Sequence, residues 1–264
     1  MDKDVVEKLK VQALKLVGEA NQLLHQISLL HLIAALVILL LTSFWLRFIT
    51  LALKRRSSNT IVLTGLCGSG KTFIFYQLRD GSPPPEGTVT SMEPNRDIIS
   101  LRSEITKDDK IKCNVDVIDV PGHHRLRSNL DEFLRLAAGV VFVVDAIDFL
   151  PNCPAASEYL YDILTKGDVV QKKIPVLVFC NKVDKVTAHT KAFITKQLER
   201  EIEKLRHSRT AVSDADISNE FTLGTPGEPF TFSQCMNKVV VEEGSALTGE
   251  IFHIAAFIRE NVSP

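Results

Sequence analysis

The sequence has no large net charge, no paired-cysteine pattern and no internal repeat. Its net charge is −1 and its pI is about 6.7, so the overall charge gives no case for binding nucleic acid. The five cysteines are odd in number and widely spaced, without any C-x-x-C pair. This distribution argues against a disulfide framework and a zinc site, and it favours a reducing compartment.

Charge is also absent from one long stretch near the N-terminus. No charged residue occurs from Ala20 to Leu46, and residues 27–46 form an apolar run. A run of about 20 apolar residues has the length that a helix needs to cross a bilayer. Because this run is longer than the core of a cleaved signal peptide and lacks a basic start, the sequence predicts a transmembrane helix at 27–46.

The orientation of this predicted span follows from the basic residues beside it, which come after it: Arg47, Lys54, Arg55 and Arg56. Positive charge is enriched on the cytosolic side of membrane spans. We therefore expect a lumenal segment at 1–26, a basic cytosolic linker at 47–59, and a cytosolic domain at 60–264.

Apolar, β-branched runs alternate with helical patterns over residues 60–264, which is typical of an α/β domain with a mostly parallel sheet and helices on both faces. Strands are predicted at 60–64, 112–118, 139–145, 174–180 and 238–241. Helices are predicted to begin at residue 73, with 73–78 as the first turns, to end at residue 138 after the motif at 119–123, and to cover 155–166, 187–207 and 250–261. A polar segment that contains glycine and proline, at 208–237, is predicted to be an insertion.

One octapeptide fits the phosphate-binding loop pattern G-x-x-x-x-G-K-[ST] at every fixed position: Gly65, Leu66, Cys67, Gly68, Ser69, Gly70, Lys71 and Thr72. A predicted strand precedes it and a predicted helix follows. The glycines allow backbone N–H groups to point at phosphate oxygens, and the helix N-terminus adds partial positive charge. We expect Lys71 to reach the β- and γ-phosphates and the Thr72 hydroxyl to ligate Mg²⁺. The sequence therefore predicts a nucleotide-binding protein.

A second motif, Asp119-Val-Pro-Gly122, follows a predicted strand. Asp119 could hold Mg²⁺ directly or through water, and Gly122 could bring a backbone N–H close to a γ-phosphate. Alone, the D-x-x-G pattern is weak, since a plain β-turn also fits it. Its position after the phosphate loop makes the nucleotide interpretation strong.

A third motif, Asn181-Lys182-Val-Asp184, predicts the choice of base. The Asp184 carboxylate could accept hydrogen bonds from the ring N–H and the exocyclic amine of guanine, a pair of donors that adenine lacks. We expect Asn181 to brace neighbouring loops and the stem of Lys182 to lie over the base. Ser245 and Ala246 follow the last predicted strand, where a backbone N–H could meet the guanine carbonyl, although this signal is weak alone.

These four motifs, in this order, resemble the Ras-like small GTPases over residues 60–264. The single span, the short linker and the sequences G-L-C-G-S-G-K-T and D-V-P-G-H-H are together similar to the β subunits of the signal recognition particle receptor. The resemblance implies a membrane-anchored subunit with GTP and Mg²⁺ as cofactors. Its GTP form would bind the receptor α subunit at the endoplasmic reticulum and support protein targeting to the translocon. The ribosome and the translocon are further candidate partners, and direct binding of nucleic acid is not expected.

The resemblance also places switch I, the loop that responds to the γ-phosphate, at 88–94. Thr90 is the predicted switch I ligand of Mg²⁺, with Thr88 and Ser91 as alternatives because the register is not fixed.

Two residues depart from the commonest Ras-like pattern. His123, the candidate catalytic residue, stands where many small GTPases have a glutamine that positions water; a histidine there can do the same or be idle. Cys67 occupies a loop position where glycine often leaves room for an arginine finger. Both departures predict slow GTP hydrolysis. Two alternatives therefore remain: a nearly static GTP-loaded membrane scaffold, and another membrane-associated Arf-like GTPase of vesicle traffic.

Overall fold

The computed structural model describes residues 14, 15, 18, 29–53, 59–82, 84, 87–102, 112–123, 130–212, 221, 223–225 and 227–262. The chain forms two compact units, 1–56 and 57–264, and each is described by itself. Most of the predicted lumenal segment at 1–26 lies outside the described residues.

The first unit contains helix α1 (Leu29–Leu53). Many apolar side chains of this helix are exposed, including Leu39 and Phe44, which are 66% and 68% exposed. The helix continues through residues 47–53, so the first part of the predicted linker is helical. Across the described residues, no helix meets the combination of length and apolar character needed to cross a membrane. The predicted transmembrane helix at 27–46 is therefore not confirmed.

The second unit contains a six-stranded sheet with helices around it. Its strands are β1 (Thr60–Gly65), β2 (Asn95–Arg102), β3 (Lys112–Asp119), β4 (Ala137–Asp145), β5 (Val176–Asn181) and β6 (Val239–Glu243). Its α-helices are α2 (Lys71–Asp80), α3 (Leu130–Leu136), α4 (Phe149–Thr165), α5 (Gly167–Lys172), α6 (Lys191–Val212) and α7 (Phe252–Asn261). A short 3₁₀-helix covers Phe232–Gln234.

The order of the strands brings the predicted motifs to one edge of the sheet. This order is β2-β3-β1-β4-β5-β6, and neighbouring strands are parallel except for the antiparallel pair β2 and β3. In the register, Leu63 pairs with Asp119, and Asp145 pairs with Asn181. The carboxyl ends of β1, β3, β4 and β5 therefore lie side by side, which is where open α/β sheets bind ligands.

The hydrophobic core has two layers because successive side chains of a strand point to opposite faces of the sheet. In β4, Val140 and Phe142 belong to a buried cluster with helices α3, α4 and α6. Val141 and Val143 of the same strand belong to a second cluster, with α2 and α7. Burial of each such side chain stabilises the fold by about 1.5–3 kcal/mol. The predicted α/β fold, with a mostly parallel sheet and helices on both faces, is confirmed.

Several elements differ from those predicted. Strand β2 and helix α5 were not predicted, and α4 begins at Phe149 rather than at residue 155. Two prolines near this start argue against a helix when the sequence is considered alone. Pro151 is tolerated because it lies in the first turn, where backbone N–H groups have no acceptor within the helix. Helix α6 ends at Val212, so its last turn extends into the segment predicted as an insertion at 208–237.

A buried arginine fixes the described part of this insertion to α6. Arg206 is 6% exposed, and its guanidinium donates hydrogen bonds to the carbonyl oxygens of Thr225 (3.0 Å) and Glu228 (2.7 Å). It also donates to Glu203 Oε1 (2.7 Å), while the other Glu203 oxygen accepts from the Phe230 N–H (2.9 Å). Burial raises the pKa of Glu203, but the hydrogen bonds from Arg206, Phe230 and His207 and the charge of Arg206 together outweigh it and leave this pKa below its ordinary value.

A buried hydrogen bond joins β1 to α4 immediately before the phosphate loop. Thr64 Oγ1 lies 2.6 Å from the hydroxyl of Tyr159, and both residues are buried. We expect Tyr159→Phe to lower the free energy of unfolding by about 1–3 kcal/mol, because the Thr64 hydroxyl would lose this partner in apolar surroundings. Urea denaturation of residues 57–264 measures this change.

The matched control is the double variant Thr64→Val with Tyr159→Phe. It removes both hydroxyls and should be more stable than Tyr159→Phe alone, since replacing both partners of a buried hydrogen bond is less costly than removing one. Equal unfolding midpoints for the wild type and Tyr159→Phe would contradict the expectation.

Candidate nucleotide-binding site

The phosphate loop lies between β1 and α2 and depends on its glycines. Gly65, Gly68 and Gly70 have φ values of 137°, 76° and 92°, where side chains with a Cβ are strained. A Cβ on Gly65 would lie 2.2 Å from the carbonyl oxygen of Val143, and one on Gly70 would lie 2.4 Å from Nδ2 of Asn181. The loop can therefore fold against β4 and β5 only with glycine at these two positions.

Lys71 is the first residue of α2, and its side chain folds back onto the phosphate loop. It is 6% exposed, and its ammonium donates a hydrogen bond to the Leu66 carbonyl oxygen (2.7 Å). Ser69 Oγ donates to the same oxygen (2.9 Å). Burial lowers the pKa of Lys71, and the nearby charge of Asp119 partly restores it. The loop thus holds a desolvated cation at the place where the motif predicts phosphate.

Thr72 and Asp119, the predicted ligands of Mg²⁺, are in direct contact. Thr72 Oγ1 donates to Asp119 Oδ2 (2.7 Å), and Asn95 Nδ2 donates to the same oxygen (3.1 Å). Asp119 is fully buried, and its Oδ1 has no hydrogen-bond partner among the described residues. An unmatched buried carboxylate oxygen is costly. Because Mg²⁺ prefers oxygen ligands, this hydroxyl and carboxylate fit the ion.

A cavity of about 130 Å³ lies in front of the phosphate loop, and residues 88–91 form another of its walls. The three alternatives for the switch I ligand, Thr88, Thr90 and Ser91, all line it. Ser91 Oγ lies 3.1 Å from Thr72 Oγ1, a contact that the sequence analysis did not single out. The choice of Thr90 stays a prediction.

Gly122 lies directly against the phosphate loop. A Cβ at this position would be 2.6 Å from the backbone N of Cys67 and from the carbonyl oxygen of Gly65. Only glycine therefore allows the D-x-x-G turn to approach the loop so closely. His123 is exposed beside it, and Cys67 is an exposed free thiol. Their roles in hydrolysis stay predictions.

The buried side chain of Asn181 braces two loops, as the sequence predicts. Its Nδ2 donates to the Ser69 carbonyl oxygen (2.8 Å), and its Oδ1 accepts from the Ala246 N–H (3.0 Å). Beside it, Asp184 Oδ1 accepts a hydrogen bond from Ser245 Oγ (2.6 Å), which lowers the pKa of Asp184. The carboxylate predicted to select the base is therefore oriented and charged.

The sequence analysis missed Asp145, whose carboxylate accepts a hydrogen bond from Lys182 Nζ. Asp145 ends the apolar strand β4, and its register partner is Asn181. The sequence did contain a signal for it. Asp145 is a charged residue at the end of a buried strand, and the following strand leads into the N-K-x-D motif. A second cavity, of about 170 Å³, is lined by Asp145, Lys182 and residues 66–69 of the phosphate loop.

Sequence comparison relates this chain to one family. The profile of the family "Signal recognition particle receptor beta subunit" matches residues 56–239. The Mus musculus signal recognition particle receptor subunit beta is 35% identical over 227 residues, which cover 84% of this chain and 80% of that protein. The Dictyostelium discoideum subunit is 34% identical over 73% of this chain, and the match spans 65% of its length, slightly under two thirds.

Structural comparison gives the same family. The structure of the mammalian SRP receptor covers 77% of this chain and 100% of its own, with 30% identity and a TM-score of 0.64. The SRb-GTP/SRX complex from Chaetomium thermophilum covers the same shares, with 20% identity and a TM-score of 0.63. The second likeness concerns the fold alone. Together they show a Ras-like GTPase α/β fold.

The position of Asp184 yields a test of base recognition. Asp184→Asn replaces a carboxylate with an amide, so a guanine N–H would face an N–H of the side chain. Because an unmatched buried polar group costs about 1–3 kcal/mol, we expect GTP affinity to fall about tenfold or more. Xanthosine triphosphate, which offers an acceptor there, should bind more tightly. Titration with fluorescent nucleotides measures both affinities.

Binding of xanthosine triphosphate also serves as the folding control, since an unfolded variant would bind neither nucleotide. If Asp184→Asn binds GTP as tightly as the wild type does, Asp184 does not read the base.

Proposed function

The chain belongs to the signal recognition particle receptor beta subunit family, and from this we propose that it is the membrane-anchored, GTP-binding subunit of that receptor. Its GTP form binds the receptor α subunit at the endoplasmic reticulum and supports co-translational targeting of proteins to the translocon. The observation that carries the proposal is the side chain of Asn181, which joins the phosphate loop to the loop of the predicted guanine contacts.

The residues of the site divide the work of holding GTP. Lys71 and the backbone N–H groups of the loop hold the phosphates. Thr72 and Asp119 would hold Mg²⁺, which would supply positive charge beside the phosphates, and Thr90 is the proposed third ligand. At the other end, Asp184 reads guanine while the Ala246 backbone closes over it. Hydrolysis is slow in this proposal because His123 and Cys67 replace the usual glutamine and glycine.

Switch I is the proposed contact with the α subunit. Residues 88–91 line the phosphate cavity, so a γ-phosphate bound there would lie against this segment. Val89 and Met92 in this segment are apolar and are 88% and 71% exposed. A relative from Chaetomium thermophilum occurs as an SRb-GTP/SRX complex, which supports a partner that binds the GTP form.

We expect the α subunit to bind the GTP form at least tenfold more tightly than the GDP form, a coupling of about 1.4 kcal/mol. The physical reason is that a partner gains only the difference in its affinity for the two states of switch I. Titration of the α subunit against GDP-loaded and GTP-loaded protein measures the ratio.

Two methionines provide the matched control. Met92→Ser, in switch I, should weaken the complex, whereas Met236→Ser, which is 68% exposed but lies in the predicted insertion, should not. Equal affinities for the two nucleotide forms would instead favour a static scaffold that holds nucleotide without switching.

The anchor is proposed to be residues 27–46, crossing the membrane once with residues 1–26 in the lumen. The uncharged run from Ala20 to Leu46 and the basic residues after it support this proposal. The exposed apolar side chains of α1 are consistent with a lipid environment.

Protease treatment of intact microsomes tests the topology. We expect digestion of residues 57–264, because the basic flank predicts that they face the cytosol. Detergent-permeabilised microsomes are the control, in which lumenal markers are digested as well. Protection of residues 57–264 in the intact vesicles would contradict the orientation.

A further inference from the structure

We propose that Asp145 is a positioning residue for nucleotide retention, which holds Lys182 so that the stem of this lysine covers the base. The inference rests on the proposed binding of guanine nucleotide. It assigns a role to a carboxylate outside the phosphate-loop, D-x-x-G and N-K-x-D motifs.

The sheet register places the two side chains together. Asp145 and Asn181 are partners at the ends of the parallel strands β4 and β5, so Lys182 begins directly beside Asp145. The Ala146 N–H donates to the Asn181 carbonyl oxygen (3.0 Å), which fixes the backbones at this point. Lys182 Nζ then donates to Asp145 Oδ2. The side chains are 34% and 15% exposed, respectively, so the pair is partly shielded from water.

The backbone of Lys182 is held in an unfavourable conformation. Its φ is 72°, and Lys182 and Lys173 are the only non-glycine residues in the described part of the chain with a positive φ. The left-handed region is unfavourable for an L-residue and persists where surrounding contacts require it. Backbone hydrogen bonds flank this residue: the Asn181 carbonyl oxygen accepts from the Ala146 N–H, and the Lys182 carbonyl oxygen accepts from the Lys185 N–H (3.3 Å).

Asp145 is itself fixed, which makes it a rigid anchor. Its Oδ1 accepts hydrogen bonds from the backbone N–H groups of Ile147 (2.9 Å) and Asp148 (3.4 Å), at the turn before α4. Its Oδ2 is thereby directed at Lys182. Immobilising a lysine side chain costs conformational entropy. Because Asp145 restricts the stem before the nucleotide arrives, less of this cost falls on binding.

The test compares release of fluorescent GDP from the full chain in detergent. Asp145→Asn keeps an oxygen for the N–H groups of Ile147 and Asp148 but removes the charge that holds Lys182. We expect release to become about five- to tenfold faster, as for the loss of a partly buried ion pair. Lys182→Met should accelerate release to a similar extent.

The double variant separates positioning from general stabilisation. If Asp145 acts through Lys182, then Asp145→Asn should add no further acceleration when Lys182 is already methionine. The matched control is Asp131→Asn, which removes a carboxylate paired with another lysine, Lys166 at 2.9 Å, and should leave release unchanged.

The outcomes distinguish this inference from the proposed function. A wild-type chain that fails to retain guanine nucleotide would overturn both. Retention by the wild type together with unchanged release from Asp145→Asn would overturn the role of Asp145 alone, as would additive effects in the double variant. Acceleration that is absent from the Lys182→Met background supports the positioning role.

Discussion

The carboxamide of Asn181 is the contact on which the rest of the site depends. One side chain donates to the phosphate loop at Ser69 and accepts from Ala246, so it sets the distance between the phosphate end and the base end. The same carboxamide explains why the phosphate loop has glycine at position 70, because a Cβ on Gly70 would lie 2.4 Å from Nδ2 of Asn181. Loss of either hydrogen bond would leave a buried polar group unmatched, at a cost of about 1–3 kcal/mol.

Around this contact, the charged groups are oriented by neighbours that belong to the protein itself. Ser245 holds Asp184, Thr72 and Asn95 hold Asp119, and Asp145 holds Lys182. Groups that are already aligned lose little conformational freedom when a ligand binds. The contacts that orient these groups thus come from the protein itself, while Asp119 Oδ1 is buried without a hydrogen-bond partner among the described residues.

The motifs could be predicted from the sequence because local backbone geometry requires them. The glycines of the phosphate loop and Gly122 must be glycine for steric reasons, so their spacing carries information. Strand β2 could not be found in this way, since its sequence NRDIISLR contains no long apolar run and one of its two isoleucines, Ile98, faces solvent. Asp145 was missed for a different reason: its meaning depends on the register of β4 with β5, which no short pattern records.

The separation of Asn181 from its two partners has a consequence for the order in which the site forms during synthesis. Ser69 precedes Asn181 by 112 residues, and Ala246 follows it by 65. A chain that leaves the ribosome N-terminus first exposes its phosphate loop before Ala246, the partner that closes the base end, has been synthesised. Truncated chains that stop before Ala246 would thus contain the phosphate loop and yet lack the closing contact. Closure of the site therefore depends on residues that are synthesised well after the phosphate loop.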